Sequence, residues 1–174
     1  MDYFTSDWHL NHDTIIRYSS RPFDNVIQMK RTLLNNINQT LSKKHDKLYM
    51  LGDMSFGDKD GLLEFIQAIH SPVVIVAGNH DANNVCNFLR RNGIEVLSPE
   101  SYSFKAYGMR VTLSHKPLPS DWLGKNEFNI HGHVHNEGGI IKHPQYYDCG
   151  VDNNDYKPVS LPYIMRKREI LLND

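Results

Sequence analysis

The 174-residue chain predicts an α/β domain, and two observations carry that expectation. Short apolar runs at 47–52 (KLYMLG) and 73–77 (VVIVA) end in glycine and polar residues, as buried strands do where they feed functional loops. Around them lie stretches whose apolar residues recur every three to four positions, the spacing of one helical face. Such alternation predicts early parallel strands joined by helices. Beyond Gly93 strand-like segments follow one another, so a mixed or antiparallel sheet is expected there.

Taken in order, residues 1–5 read as the first strand, and Asp13 as the N-cap of a brief helix through Ile15 and Ile16. Asp24 is the expected cap of a longer helix with Val26, Met29, Leu33, Ile37 and Leu41 on one face. Leu62, Phe65, Ile66 and Ile69 repeat that spacing, as do Val85, Phe88 and Leu89 before the helix stop Asn92-Gly93. Residues 94–97, 102–107 and 109–114 are strand-like, the last two joined at Gly108 as a hairpin. At the end, Ser160 is a candidate N-cap with Pro162 in the first turn, and 163–172 reads as helix or strand. No repeat or linker divides the chain, so residues 1–174 are expected to form a single domain.

With 19 basic and 20 acidic side chains, the net charge of −1 supplies no field for nucleic acid or an acidic membrane. Cys86 and Cys149 lack zinc-motif or redox-motif spacing, which points to free thiols in a reducing compartment. The N-terminus lacks signal-peptide character and no run reaches membrane-spanning length. The expected location is the cytoplasm, or the host cytoplasm for a phage-encoded protein.

Five polar clusters each close a strand-like run: Asp7-Trp8-His9, Gly52-Asp53, Gly78-Asn79-His80-Asp81, His115, and His131-Gly132-His133-Val134-His135. Ligands of open α/β sheets sit outside the carboxyl ends of strands, where these clusters are expected. Each alone has an ordinary reading: a solvated DxH loop, a Gly-Asn turn with a capping Asp, a surface histidine before Lys116-Pro117. Jointly and in this order they read as a metal site. In extended backbone, residues i and i+2 share a side, so Asp7 with His9, and His133 with His135, are expected to present ligands as pairs.

The donor set of Asp7, His9, Asp53, Asn79, His115, His133 and His135 holds carboxylates, imidazoles and one amide, with no thiolate. That chemistry suits manganese, iron, zinc, cobalt or nickel. Seven donors are too many for one tetrahedral ion with an open position, and two divalent ions sharing a carboxylate fit better. Metal pairs roughly 3.5–4 Å apart serve phosphoryl displacement, so phosphoester hydrolysis is the natural chemistry.

The ordered set DxH, GD, GNHD, H and GHxH, spanning positions 7–135, resembles the calcineurin-like metallophosphoesterases. The start (SDWHLNH, IIRYSSRPF) and the tail (Cys149-Gly150-Val151-Asp152, Asp155-Tyr156-Lys157-Pro158-Val159) are similar to small single-domain prokaryotic or phage-type members. The resemblance implies a four-layer αββα sandwich of two mixed β-sheets flanked by helices. It implies that Asp7, His9 and His135 hold one metal, that Asn79, His115 and His133 hold the other, and that Asp53 bridges them. A metal-bridging hydroxide would attack phosphorus, His80 would assist the leaving oxygen, Asp81 would orient His80, and manganese is the favoured ion. Met54-Ser55-Phe56-Gly57 lacks the GDxVDRG continuation of Ser/Thr protein phosphatases, and Asp81 replaces their Glu, which disfavours that branch. Asn11 stands where DxHxGH members carry Gly, so the backbone at His12 is expected to differ.

Without an inserted cap domain the site should be shallow, which slightly favours a phosphodiester over a monoester. His12 and Arg17 are the candidate substrate contacts; Arg21, Lys116 and Lys125 are further cations for which a phosphate contact and a solvated surface are both open. Tyr18 and Trp122 read as stacking groups or, by preference, as packing groups. His45, His70 and His143 read as surface or loop residues, and His131 as structural or as a neighbour of the ligands. Two alternatives stand beside the enzyme: a nuclease, disfavoured by the near-neutral charge, and a non-catalytic protein-binding module on the same fold.

Overall fold

A computed structural model describes residues 1–41, 45–97, 101–135 and 143–173. Strands β1 (Asp2–Thr5), β2 (Lys47–Met50), β3 (Val73–Val76) and β4 (Glu95–Leu97) pair in parallel in the order β4-β3-β2-β1, and β9 (Val159–Ser160) adds antiparallel to β1. Parallel neighbours need crossovers. These are α1 (Asp13–Tyr18) with α2 (Val26–Thr40), then α3 (Lys59–Gln67), then α4 (Asn83–Arg91). The second sheet runs β5 (Ser101–Ala106), β6 (Met109–Ser114), β7 (Glu127–His131), β8 (Tyr146–Asp148), antiparallel at β5/β6 and parallel after it.

One apolar layer lies between the helices and the first sheet, built from Met29, Leu33 and Ile37 of α2, Leu62, Phe65 and Ile66 of α3, and Leu48, Met50 and Ile75 of the strands. The other lies between the sheets, where Phe4, Leu51 and Val76 meet Val111, Leu113, Phe128 and Ile130. Helix α5 (Leu161–Asn173) contributes Leu161, Ile164 and Met165 to this second layer. Because both faces of the first sheet are covered, all four residues of β3 are buried and apolar, a continuous run rather than an alternation. On the far face of the second sheet, Asn129 accepts from Leu118 N–H at 2.9 Å and Tyr146 Oη donates to the Leu118 carbonyl at 2.9 Å. Loop 116–126, with a 3-10 turn at Ser120–Trp122, thereby covers that face. The result is the expected architecture of two mixed sheets flanked by helices.

Several local expectations shift by one residue or change sheet. Asn25, not Asp24, caps α2, its side chain accepting from Gln28 N–H at 2.9 Å while Gln28 Oε1 takes the Asp24 N–H at 2.6 Å. The cap sits one position later because its oxygen must reach the third helical amide, and Gln28 reaches back one residue beyond the cap rather than closing a capping box. Asp13 is the first residue of α1 rather than its cap, and its charge sits where the helix dipole favours it. Residues 94–97 belong to the first sheet, since α4 returns β4 beside β3 in parallel. The hairpin forms as expected, with Tyr107 (φ 52) and Gly108 (φ 72) both left-handed as a type I′ turn requires. The tail is helix, and Ser160 Oγ accepts from Tyr163 N–H at 3.4 Å. Cys86 and Cys149 are free and buried. Among the described residues no helix is long and apolar enough to cross a membrane.

Candidate metal centre

The loops leaving β1, β2, β3, β6 and β7 meet at one edge of the paired sheets. Extended backbone does not present the ligands there, contrary to the spacing argument. Asp7 (φ 61), His9 (φ 49), Asp53 (φ 56), His133 (φ 73) and His135 (φ 46) are all left-handed. Asp and His tolerate that region better than most residues, though each such residue costs on the order of 1 kcal/mol. The left-handed turns send Asp7 and His9 into the site while Trp8 between them turns fully into the core, edge-on to Phe65 at 5.1 Å. Hydrogen bonds from Asp7 N–H to the Gly52 carbonyl (3.1 Å), His9 N–H to Asp53 (3.0 Å) and Leu10 N–H to Met54 (2.9 Å) lace the first two loops together. Gly52 (φ 87) is required by close approach as well, because a Cβ there would lie 2.5 Å from Gly78 Cα and 2.8 Å from His115 Nδ1.

Two trios result, each with donor atoms within 4.8 Å of one another: Asp7, His9 and His135, and Asp53, His115 and His133. In the first, Asp7 Oδ1 lies 4.0 Å from His9 Nε2 and 3.8 Å from His135 Nε2, and the two imidazole nitrogens are 3.3 Å apart. In the second, Asp53 Oδ2 lies 3.3 Å from His115 Nε2, which is 3.2 Å from His133 Nδ1. Asp53 Oδ2 also lies 3.7 Å from His9 Nε2, between the trios. His133 and His135 therefore serve different trios, as the family resemblance implies and unlike the pairing that the spacing alone suggests. The intervening left-handed backbone swings them apart.

Burial pushes the Asp7 carboxyl up to about 6, although His115 and His135 oppose the shift. Its Oδ2 accepts the His133 N–H at 3.0 Å, while Oδ1 is buried without a hydrogen-bond partner. Burial also raises Asp53, but the adjoining His115 and the His80 N–H outweigh it and hold Asp53 down to about 2. Burial lowers His9 to about 3. For His115 and His135 burial works downward too, yet the nearby carboxylates, Asp53 for one and Asp152 for the other, win and raise both. An orphaned carboxylate oxygen and imidazole nitrogens facing each other without an acceptor between them fit a cation in each trio. The absence of thiolates fits a borderline or hard divalent ion.

The far nitrogens of two imidazoles are tied down. His115 Nδ1 meets the Leu51 carbonyl at 2.7 Å, and His135 Nδ1 meets Asp152 Oδ2 at 2.7 Å. Asp152 in turn receives two bonds from Arg21, Nε to Oδ1 at 2.8 Å and Nη2 to Oδ2 at 2.9 Å. Arg21 is buried, so it is neither a phosphate contact nor a solvated surface cation. Sequence reasoning missed its role and that of Asp152. They lie 131 residues apart, and no spacing rule joins them.

Asp81 also differs from expectation. Its Oδ2 accepts from Asp53 N–H (2.8 Å) and Gly78 N–H (2.8 Å), and its Oδ1 from Met54 N–H (3.0 Å). Both oxygens thus clamp the second loop to the third instead of orienting His80. His80 and Asn79 are exposed at the open side; His80 N–H donates to Asp53 Oδ1 at 3.1 Å, and its ring centroid lies 6.3 Å from that of His9. His12 lies 5.7 Å from His9 by ring centroids and stacks on the exposed Phe56 at 5.0 Å. Arg17 is exposed on α1 and lines a separate depression with Asp13, Ile16 and Asp24. Lys116 and Lys125 are exposed, as are Tyr18 (60%) and Trp122 (68%), so neither aromatic ring is a core packing group. His45, His70 and His143 are exposed, whereas His131 is fully buried, with Nδ1 2.9 Å from the Gly132 carbonyl.

A family model for calcineurin-like phosphoesterases matches residues 3–169. An uncharacterised protein of Methanocaldococcus jannaschii is 31% identical over 172 residues, covering 94% of this chain and 89% of that protein. The crystal structure of a protein of unknown function from Aquifex aeolicus is similar with a TM-score of 0.76 at 28% identity, over 95% of this chain and 98% of the other. A structure of an archaeal phosphodiesterase shares the fold, with a TM-score of 0.50 at 11% identity, over 86% of this chain and 81% of that one.

Proposed function

The chain belongs to the calcineurin-like phosphoesterase family, and we propose that it is a two-metal phosphoester hydrolase with a slight preference for diesters. The observation that carries this reading is Asp53 Oδ2, set 3.3 Å from His115 of one trio and 3.7 Å from His9 of the other, where a shared ligand belongs. Asp7, His9 and His135 hold one divalent ion, Asn79, His115 and His133 the other, and Asp53 both. A bound pair supplies an activated water and neutralises the phosphoryl oxygens.

The remaining chemistry falls to side chains on the open side. His80 carries a proton to the leaving oxygen, a role supported by its exposure and by the Asp53 contact that fixes its backbone. Asp81 keeps the second and third loops in register, so that Asp53 and His80 stay together. His12, backed by Phe56 at the rim, contacts the substrate, and Arg17 reaches only an extended one. The exposure of Asn79 and His80 supports a shallow site open to diesters. The free, buried thiols support a reducing compartment.

The test is hydrolysis of bis(p-nitrophenyl) phosphate and p-nitrophenyl phosphate by manganese-loaded protein, beside Asp53→Asn. A rate lost in the variant and larger for the diester is expected. Equal background rates in both proteins would sink the enzyme reading.

A further inference from the structure

Resting on the two-ion reading, we infer that the buried Arg21–Asp152 pair is the positioning device for one ion only, the one held by Asp7, His9 and His135. Both side chains are fully shielded from solvent, and most of their hydrogen bonds go to the segments that carry that trio. Asp152 Oδ2 accepts the His135 Nδ1 proton at 2.7 Å, which fixes the tautomer and turns the Nε2 lone pair toward Asp7 Oδ1, 3.8 Å away. Arg21 holds the Asp152 carboxylate at two points and turns further donors to the first loop. Nη2 donates to the Asp7 carbonyl at 2.8 Å and Nη1 to the Trp8 carbonyl at 3.0 Å, with Met29 Sδ at 3.3 Å.

One guanidinium therefore grips both segments that carry the first trio, the left-handed Asp7–His9 turn and, through Asp152, the His135 ring. Asn153 reinforces the second grip, its amide donating to the His135 carbonyl at 2.8 Å and to Asp148 Oδ2 at 2.6 Å. Among the described residues no charged side chain from outside the other trio backs one of its imidazoles in this way: His115 leans on the neutral Leu51 carbonyl at 2.7 Å, and Asp81 holds only the Asp53 amide there. A buried ion pair gives little net stability against an apolar replacement, so its value here is the geometry it imposes. Arg21 and Asp152 touch no reacting atom; they act through His135 and the Asp7 backbone.

The test counts ions in metal-free wild type and Asp152→Asn titrated with manganese, using elemental analysis after gel filtration and electron paramagnetic resonance for spin coupling. Wild type should hold two coupled ions. Asp152→Asn, still folded, should hold one uncoupled ion at wild-type affinity, while the other position weakens roughly 10–100-fold. General loosening of the fold would weaken both positions together. If Asp152→Asn does not fold, Arg21→Lys is measured the same way, since it keeps the charge opposite Asp152 but loses the two-point grip. Two coupled ions at unchanged affinity in the variant, or equal weakening of both, would overturn the inference. A wild type that takes up no manganese would overturn the two-ion reading itself and the inference with it.

Discussion

The two trios use the same donors, one carboxylate and two imidazoles each, yet they are balanced differently. Asp53 sits among groups that favour its charge, and the raised His115 beside it acts as its counter-ion, so its carboxyl is held down to about 2. Asp7 is buried with an unpartnered Oδ1 and is pushed up to about 6. In the second trio His115 lies directly against Asp53 Oδ2 at 3.3 Å, whereas in the first His135 commits its Nδ1 to Asp152 and stays 3.8 Å from Asp7 Oδ1, which keeps no hydrogen-bond partner. The buried Arg21 behind the first trio is already engaged by Asp152 and by the Asp7 and Trp8 carbonyls. Identical ligand types thus do not make equivalent metal positions; what stands behind them sets how much each depends on its ion.

The substitution with the largest expected effect removes the group common to both. Asp53→Asn should lower kcat roughly a thousandfold and loosen both ions, whereas loss of only one ion would show that Asp53 is not shared. Next come His135→Ala and His133→Ala, which should each lose about a hundredfold in kcat/KM while emptying opposite positions. Elemental analysis and spin coupling read the outcome, and a common pattern of loss would erase the distinction between the trios. His80→Ala should keep both ions and lower kcat about a hundredfold, with the deficit growing as the leaving group becomes more basic. A deficit independent of the leaving group would remove His80 from the proton step.

The smallest effect is a pH dependence of metal stabilisation. A carboxyl raised from 3.8 to about 6 destabilises the metal-free fold as pH climbs through that interval, by on the order of 3 kcal/mol. A cation on Oδ1 removes that penalty. His9, held near 3 against an ordinary 6.5, works in the opposite sense in metal-free protein, losing stability as pH falls below 6.5. It stays neutral and able to bind a cation at pH 5 and pH 7 alike. His115 and His135, both raised, hold protons at pH 5 that a cation must displace. Manganese should therefore raise Tm by several degrees more at pH 7 than at pH 5, and an equal or larger rise at pH 5 would contradict the assigned imbalance.

The parts of this molecule that sequence reveals are those decided locally. Strong apolar strands followed by Asp, Asn and His located the loops, and Tyr107-Gly108 announced its hairpin by turn chemistry alone. Strands β8 and β9, at three and two residues, are too short to leave a periodic pattern, and β9 exists only because β1 offers an edge. The cap of α2 slipped from Asp24 to Asn25 because two adjacent residues can both cap, and the position of Gln28 decides between them. The left-handed backbone of the ligands was hidden by the absence of glycine at those positions. Arg21–Asp152 was hidden for a deeper reason: Arg21 alone reads as a phosphate contact or a solvated cation and Asp152 carries no reading of its own, and only the folded chain brings them together across 131 positions.

Whether two ions share Asp53 is read straight from anomalous X-ray diffraction of manganese-soaked crystals. Two manganese peaks are expected roughly 3.5–4 Å apart, one beside Asp7, His9 and His135, one beside His115 and His133, with Asp53 between them. A single peak in one trio, or none, would contradict that sharing.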